Sequence, residues 1–436
     1  MGPMSRPASL TRSLARLIRS RPVSDSDRRD ALRFVRDWVG SAVAGTATDP
    51  GRRLIRYGGG PRTIEGDAFL TAALSHVTET DDLHRGSITH PGCVVVPVAL
   101  ILGRLLGKPG PAVLGAVLAG YEAMVRVGEA LGPAHYRTFH NTATAGPFGA
   151  AAAAASLLEL DEDQWVWAFG SAGTQAAGLW QFNADASMSK PLHAGHAAEA
   201  GLKAARLAAE GFTGSEAILE GDRGFFRALC PDARPDRVLA ETDGWKLPET
   251  SIKPYPSCRH THPAIDAALR LRERVPSPPA LARIDVETYP AALDLTDNPD
   301  PRSTSAAKFS IQFCVATTLI RGTPGLAEFE GDGLTDRAVR ELVSRTTVAV
   351  AGDLATRYPG RWGARVTISG DGKTETEAQL TAKGDPEDPL TDAELENKAR
   401  GLMSYGGLPA DQIESMWSEP LAADVVGSLR RLASDP

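Results

Sequence analysis

Six consecutive alanines, Ala150 to Ala155, lie inside the segment "GPFGAAAAAASLLEL". A helix surface built only of methyl groups has little bulk of its own to bury, so its use is to let neighbouring helices approach closely. The chain around it supplies partners of the right kind. In "PAVLGAVLAGYEAMVRVGEAL", Val113, Val117, Tyr121 and Val125 recur at every fourth position along one face. Pro111 suits the first helical position there and Gly132 the C-terminal cap, which predicts a core helix about 30 Å long. Asp161 and Gln164 form an acidic variant of a capping box for the helix through Trp165 and Trp167. Near the start, Leu10, Leu14, Leu17 and Ile18 stand at helical spacing and predict an amphipathic first helix. The same stretch is rich in arginine and serine and has no acid until Asp25, a composition shared with organellar transit peptides.

The pattern changes after the proline-rich "VPSPP" at 275–279. "RIDVETY" (283–289) and "TTVAVAG" (346–352) alternate as strands do, and "RVTISGDGKTETEAQL" reads as a hairpin turning at Asp371-Gly372. Helix resumes at "LTDAELENKARGL", where Thr391 and Glu394 make a second box. The expectation is a mainly α protein with an α+β part. A large helical domain covers 1–250 and is completed by 391–436, and a smaller α+β lid domain covers 251–390.

With 436 residues the chain is long enough for two domains. The net charge of -7, with no basic block, argues against a nucleic-acid partner. The four cysteines, Cys93, Cys230, Cys258 and Cys314, form no CxxC pair, so neither a zinc ribbon nor a cysteine-held iron–sulfur cluster is expected, and a reducing cytosol fits best. The longest apolar run, Cys93 to Leu102, contains a proline and is about half of the roughly 20 residues a bilayer requires, so no membrane span is expected.

All nine histidines fall between His76 and His262. Seven of them lie in loop-like stretches, "TETDDLHRGSITHPG", "YRTFHNTATAGPFG", "ASMSKPLHAGHAA" and "SIKPYPSCRHTHPAID", where a His or Lys stands beside Pro, Gly, Ser or Thr. Such a residue sits near a helix terminus, and a helix N-terminus favours anions. Together the stretches predict a pocket for something negatively charged. Gly170, Gly173 and Gly178 follow no strand, have the wrong spacing for a dinucleotide loop, and read as helix-packing glycines. His193 and His196 have metal-like spacing but follow Pro191, where a helix should begin, and read as structural, while His76 and His84 are weaker candidates still. "HTH" at 260–262 places both rings on one side of a strand, with His260 as support for His262.

The segments "HPG...PVALILGRLLG", "AGYEAMVRVGEALG", "FHNTATAGPFGAAAAAASLLELDEDQ", "SKPLHAGHAAEAGLKAARLAAEGFTG" and "IKPYPSCRHTHPAIDAALRL", followed by "AAKFSIQFCVA", occur in an order that resembles the MmgE/PrpD family from about residue 10 to 400. The resemblance implies a helical domain plus an α+β lid, usually dimeric, and the cysteine pattern adds the expectation of a cytoplasmic protein. It implies action without metal or organic cofactor on small di- and tricarboxylates, as 2-methylcitrate dehydratase, cis-aconitate decarboxylase or iminodisuccinate epimerase. Matching to the family's positions gives Glu79, His90, His140 and His262 as catalytic and Lys190 and Lys253 as substrate-binding; Asp82 joins the expected catalytic set as a partner of the histidines, and Arg85 and Gln181 the substrate-binding set, Gln181 only for its nearness to the KPLH segment. The tyrosine proposed to act in the decarboxylase has no obvious counterpart, since ungapped counting lands near Leu295. That favours a dehydratase, with an epimerase or decarboxylase as the alternatives.

The chemistry explains why these residue types belong together. Removing a proton next to a carboxylate adds charge to a group already anionic, so cations must face the carboxylates. Lys190 and Lys253 are suited to that clamp, and the histidines, titrating near neutral pH, to proton transfer. Glu79, Asp81 and Asp82 are placed to hold imidazoles in one tautomer, although Asp81 and Asp82 serve equally as caps for the helix that follows.

Overall fold

A computed structural model describes residues 9–58, 63–185, 187–275 and 283–432. Residues 276–279 of the proline-rich break, Ala186 of the third histidine stretch and residues 5–8 of the arginine-rich start lie outside the described residues. The protein is mainly helical with an α+β part, and it divides into two compact units. One comprises 1–77, 81–250 and 392–436, and the other 78–80 with 251–391. Among the described residues no helix is long and apolar enough to cross a membrane.

The first unit is built around the alanine helix, Asn141–Leu157. Ala150 to Ala155 have no exposed surface. Helices Lys190–Ala209, Gly110–Glu129, Pro91–Leu105 and Glu162–Gly173 surround it. Small residues on the neighbours make the approach possible. A Cβ added to Gly201 would lie 2.4 Å from the Ala150 Cβ and 2.4 Å from the Pro147 carbonyl oxygen. The first helix, Leu10–Ser20, buries Leu14 and Ile18. The box at Asp161 and Gln164 forms in both directions, each side chain bonding the other's backbone N–H. Helix Asp392–Tyr405 returns to this unit and packs on Asp25–Thr46, where Lys398 pairs with the buried Asp37.

Helix Gly110–Glu129 contains Pro111 in its first turn and buries Val113, Val117, Tyr121 and Val125. Gly132 is not its left-handed cap. The helix ends on Ala130, and Gly132 has φ -94 and opens the short helix Pro133–Tyr136. A side chain at Gly132 would collide with the Asp232 carboxylate, whose nearest atom lies 2.3 Å from the Cβ position. Asp232 in turn accepts the Ala134 N–H at 3.0 Å. Close approach, not backbone handedness, selects this glycine. Gly170 and Gly173 do lie in a helix, Glu162–Gly173, but Gly178 falls outside any helix.

The second unit holds strands β1 (Arg283–Thr288), β2 (Thr346–Val350), β3 (Ala364–Gly370) and β4 (Lys373–Gln379), in the order β2-β1-β3-β4. β1 runs parallel to β2 and antiparallel to β3, and β3 and β4 form the hairpin. Asp371 and Gly372 both take positive φ, 50° and 72°, as a tight two-residue turn requires. Ile284, Val286, Val366 and Ile368 share a core with Ala264, Ile265, Ala268 and Leu271 of helix His262–Arg274 and with helix Ile311–Arg321. The "HTH" segment is not a strand: Arg259–Thr261 is one turn of 3-10 helix that runs into His262–Arg274. Pro263 in the first turn of that helix accounts for the difference, because proline fits a helix start and not a paired strand.

Gly201→Val is expected to destabilise the protein by about 1–3 kcal/mol through overpacking against the alanine helix. Urea unfolding followed by circular dichroism checks it, with a lower midpoint and an unchanged m value as the expected result.

Candidate active site

Helix starts deliver the chemistry in the first unit. His90 is the residue before helix Pro91–Leu105, His140 the residue before Asn141–Leu157, and Lys190 the first residue of Lys190–Ala209. All three are buried. Neither imidazole caps its own helix. The main chain holds them instead: the His90 N–H donates to Thr142 Oγ1 at 3.1 Å, and the His140 N–H donates to the Gly178 carbonyl at 3.0 Å. The rings turn toward one another. The His90 and His140 centroids are 6.3 Å apart, and His76, from the last turn of helix Ile64–Val77, lies 4.9 Å from His90 and stacks on His140 at 5.6 Å and 13°. His193, one turn into the Lys190 helix, brings its Nδ1 to 3.3 Å from His140 Nδ1, so one of these nitrogens carries the proton the other accepts. Trp180 packs 5.0 Å from the His140 ring.

The adjacent aspartates have different tasks. Asp81 Oδ2 accepts from His76 Nδ1 at 2.6 Å and lies 3.2 Å from His90 Nδ1. His90 Nδ1 also lies 2.6 Å from the Asp82 carbonyl oxygen, an obligate acceptor, so that nitrogen carries a proton. The Asp82 carboxylate points the other way. It accepts the Gly92 N–H at 3.0 Å and the Tyr121 hydroxyl at 2.7 Å, and so ties its turn to the start of helix Pro91–Leu105. Asp82 is thus placed as a helix-start anchor, and Asp81 is the carboxylate that touches the imidazoles.

Burial dominates the electrostatics. It holds His140 well below the usual histidine range, helped by the like charges of His76, Lys190, His193 and His90. His193 is pushed down to about 4 by burial, then by His76 and Lys190. Asp82 is pushed up to about 8 by burial, against the pull of the Tyr121 hydrogen bond. Two neutral imidazoles, His140 and His193, in the field of a lysine result, a setting that an entering anion would stabilise.

Among the described residues, two groups have ligand atoms close enough for a metal ion: His76, Asp81 and His90, and separately His84, Glu129 and Glu249. In the first, both Nδ1 atoms are engaged by Asp81 and the Asp82 carbonyl. In the second, Lys246 Nζ lies 3.1 Å from Glu129 and 3.0 Å from Glu249 and already supplies the positive charge. Of the remaining expected residues here, Arg85 is half-buried. Gln181 is exposed and its side-chain amide donates to Asp185 at 3.1 Å. His196 bonds the Gln175 carbonyl oxygen at 3.1 Å.

The second unit carries the other expected residues. Lys253 has no exposed surface, and its Nζ lies 3.6 Å from Glu79 Oε2. Glu79 itself takes a left-handed φ of 60°, uncommon for a residue with a side chain. His262 opens helix His262–Arg274 with Nε2 3.2 Å from the Ser257 carbonyl oxygen. His260 is core: it stacks on Trp362 at 4.2 Å and 5°, and its Nδ1 meets the Tyr289 hydroxyl at 2.6 Å. Burial pushes it down to about 3.

Histidines and a lysine at helix starts, in a helical unit followed by an α+β unit, match a known pair of domains. The profile of the MmgE/PrpD N-terminal domain covers residues 12–238, and that of the MmgE/PrpD C-terminal domain covers 255–416. The chain belongs to the MmgE/PrpD family. Among curated MmgE/PrpD-like relatives, mouse cis-aconitate decarboxylase is 27% identical over 439 residues, spanning 94% of this chain and 89% of its own. Human cis-aconitate decarboxylase is 28% identical over 364 residues, spanning 80% and 74%. The cis-aconitate decarboxylase-like protein oryM of Aspergillus oryzae is 28% identical over 366 residues, spanning 77% and 75%.

Sequence reasoning undervalued His76 and His193. The signal for His193 was present, since it follows Lys190 by three positions and so shares its helix face. His76 carried none, because a histidine closing a helix is an ordinary core residue.

His260 and His193, whose pKa values drop below the reference 6.5 to about 3 and about 4, favour the fold above pH 6.5, and that stability is lost as pH falls through those values. Asp82 acts in the opposite sense: its share is full below 3.8 and is lost as pH rises through about 8. His260→Phe keeps the stack but leaves the Tyr289 hydroxyl unpaired. It should cost about 1–3 kcal/mol at pH 7 and flatten the acid limb of a stability–pH curve measured by urea unfolding.

Proposed function

We propose that this protein is a cofactor-independent lyase that takes a proton from the carbon beside a carboxylate of a small di- or tricarboxylate and expels the neighbouring hydroxyl as water. The observation that carries this reading is the buried His140. It is held neutral next to His76 and His193 and within the field of Lys190. A neutral imidazole at pH 7 is a base ready to accept a proton, the direction in which an elimination begins. Lys190 faces a substrate carboxylate. At an effective dielectric of about 20, such a pair at about 4 Å is worth roughly 4 kcal/mol before desolvation. The charge that builds up as the proton leaves is stabilised by the same lysine and by the helix starts beneath His90 and His140. In the second unit, Lys253, with Glu79 beside it, and His262 are proposed as functional groups through their match to family positions.

A second reading, loss of carbon dioxide, is favoured by one finding: the matched relatives carry the name cis-aconitate decarboxylase. That reaction ends by protonating carbon, so it needs a charged donor where the elimination needs a neutral base. Against it, the position reached by counting for the decarboxylase tyrosine is Leu295, on the short helix Pro290–Thr296.

NMR in deuterated water separates the readings, with 2-methylcitrate, cis-aconitate and iminodisuccinate offered in turn. Formation of an alkene from 2-methylcitrate is the expected result. Release of carbon dioxide from cis-aconitate establishes the second reading instead, and deuterium uptake into iminodisuccinate without elimination marks an epimerase. His140→Gln should lower kcat about 10²- to 10⁴-fold, while Lys190→Met should both raise KM and lower kcat, since that lysine holds the carboxylate and the charge that develops on it.

A further inference from the structure

His76 ends helix Ile64–Val77, has no exposed surface, and commits Nδ1 to Asp81 at 2.6 Å. Its other nitrogen is also buried, and no described residue lies within hydrogen-bonding distance of it. Buried polar atoms are seldom left this way, and one in a site asks for a ligand. The surroundings indicate which ligand. His76 is stacked on His140 and set edge-on to His90, so its ring adjoins both imidazoles at the helix starts.

We propose that His76 is a further catalytic residue, whose Nε2 meets the departing hydroxyl of the substrate while Asp81 acts as its positioning residue. This rests on the elimination reading above and assigns its acid. The Asp81 carboxylate stabilises the imidazolium, which donates Nε2–H to the hydroxyl oxygen. When the base takes the carbon-bound proton, the C–H electrons form the carbon–carbon double bond. The C–O bond breaks with its electron pair on oxygen, and the proton from Nε2 completes the water. His76 is left neutral and the base protonated, and one proton passed from base to His76, through solvent or the adjoining rings, resets the site. The substrate class follows: a polycarboxylate with a hydroxyl is recognised over the same acid without one.

Calorimetric titration with citrate and with tricarballylate tests this, because these acids have the same three carboxylates and differ only in the hydroxyl. The wild-type protein is expected to bind citrate about tenfold or more tightly than tricarballylate, since a site built to bond a hydroxyl rejects the analogue lacking it. His76→Phe should bind both alike, with its tricarballylate affinity within about twofold of wild type, a pattern that general structural damage does not produce. If near-ultraviolet circular dichroism shows that His76→Phe is misfolded, Asp81→Asn serves instead, and it should shrink the preference at least about threefold, as expected when a supporting partner is lost. Equal affinity of the wild type for both acids, or a preference that survives the substitution, overturns the role of His76 and leaves the lyase reading standing. If the wild type binds neither acid, both fall.

Discussion

The alanine helix can be buried on all sides only because its residues are small, and the placement of the proposed chemistry depends on that packing. Four helices close around Asn141–Leu157, and glycines such as Gly201 on the neighbours bring main chains nearly into contact. Three of these elements, Pro91–Leu105, Asn141–Leu157 and Lys190–Ala209, carry His90, His140 and Lys190 at their N-termini, so the depth of packing fixes how near those ends approach. His90 bonding Thr142 through its main chain, and His140 bonding Gly178, carry that placement from backbone to ring.

Crowding basic groups into a buried region is unfavourable unless they stay neutral or meet a negative partner. Here both solutions are visible. His140 and His193 are held neutral by burial, and Asp81 gives His76 and His90 a shared carboxylate. What is left is a preorganised excess of donors, whose reorganisation has been met in folding and need not be met again when substrate charge develops. The neighbouring Asp82, bound by Tyr121 and Gly92, spends its carboxylate on architecture.

Short-range patterns were legible in the sequence. The box at Asp161 and Gln164, the turn at Asp371-Gly372 and the alternating strands are each decided within a few residues, and they appear where the pattern put them. The helix starts bearing His90, His140 and Lys190 were legible for the same reason. What could not be read depends on distant partners. Whether Asp81 or Asp82 faces the imidazoles is settled by Tyr121, and the glycine at 132 is required by Asp232. The 3-10 turn at 259–261 hid behind a strand-like spacing. Gln181 looked suitable from its neighbours in sequence, yet a local bond to Asp185 occupies it.

Alanine has no χ angle to freeze, so the run from Ala150 to Ala155 gives up no rotamer freedom when the protein folds. By the same fact it has no alternative rotamers with which to absorb a disturbance. A bulkier neighbour can therefore be admitted only by moving main chain, in the helix that starts at His140.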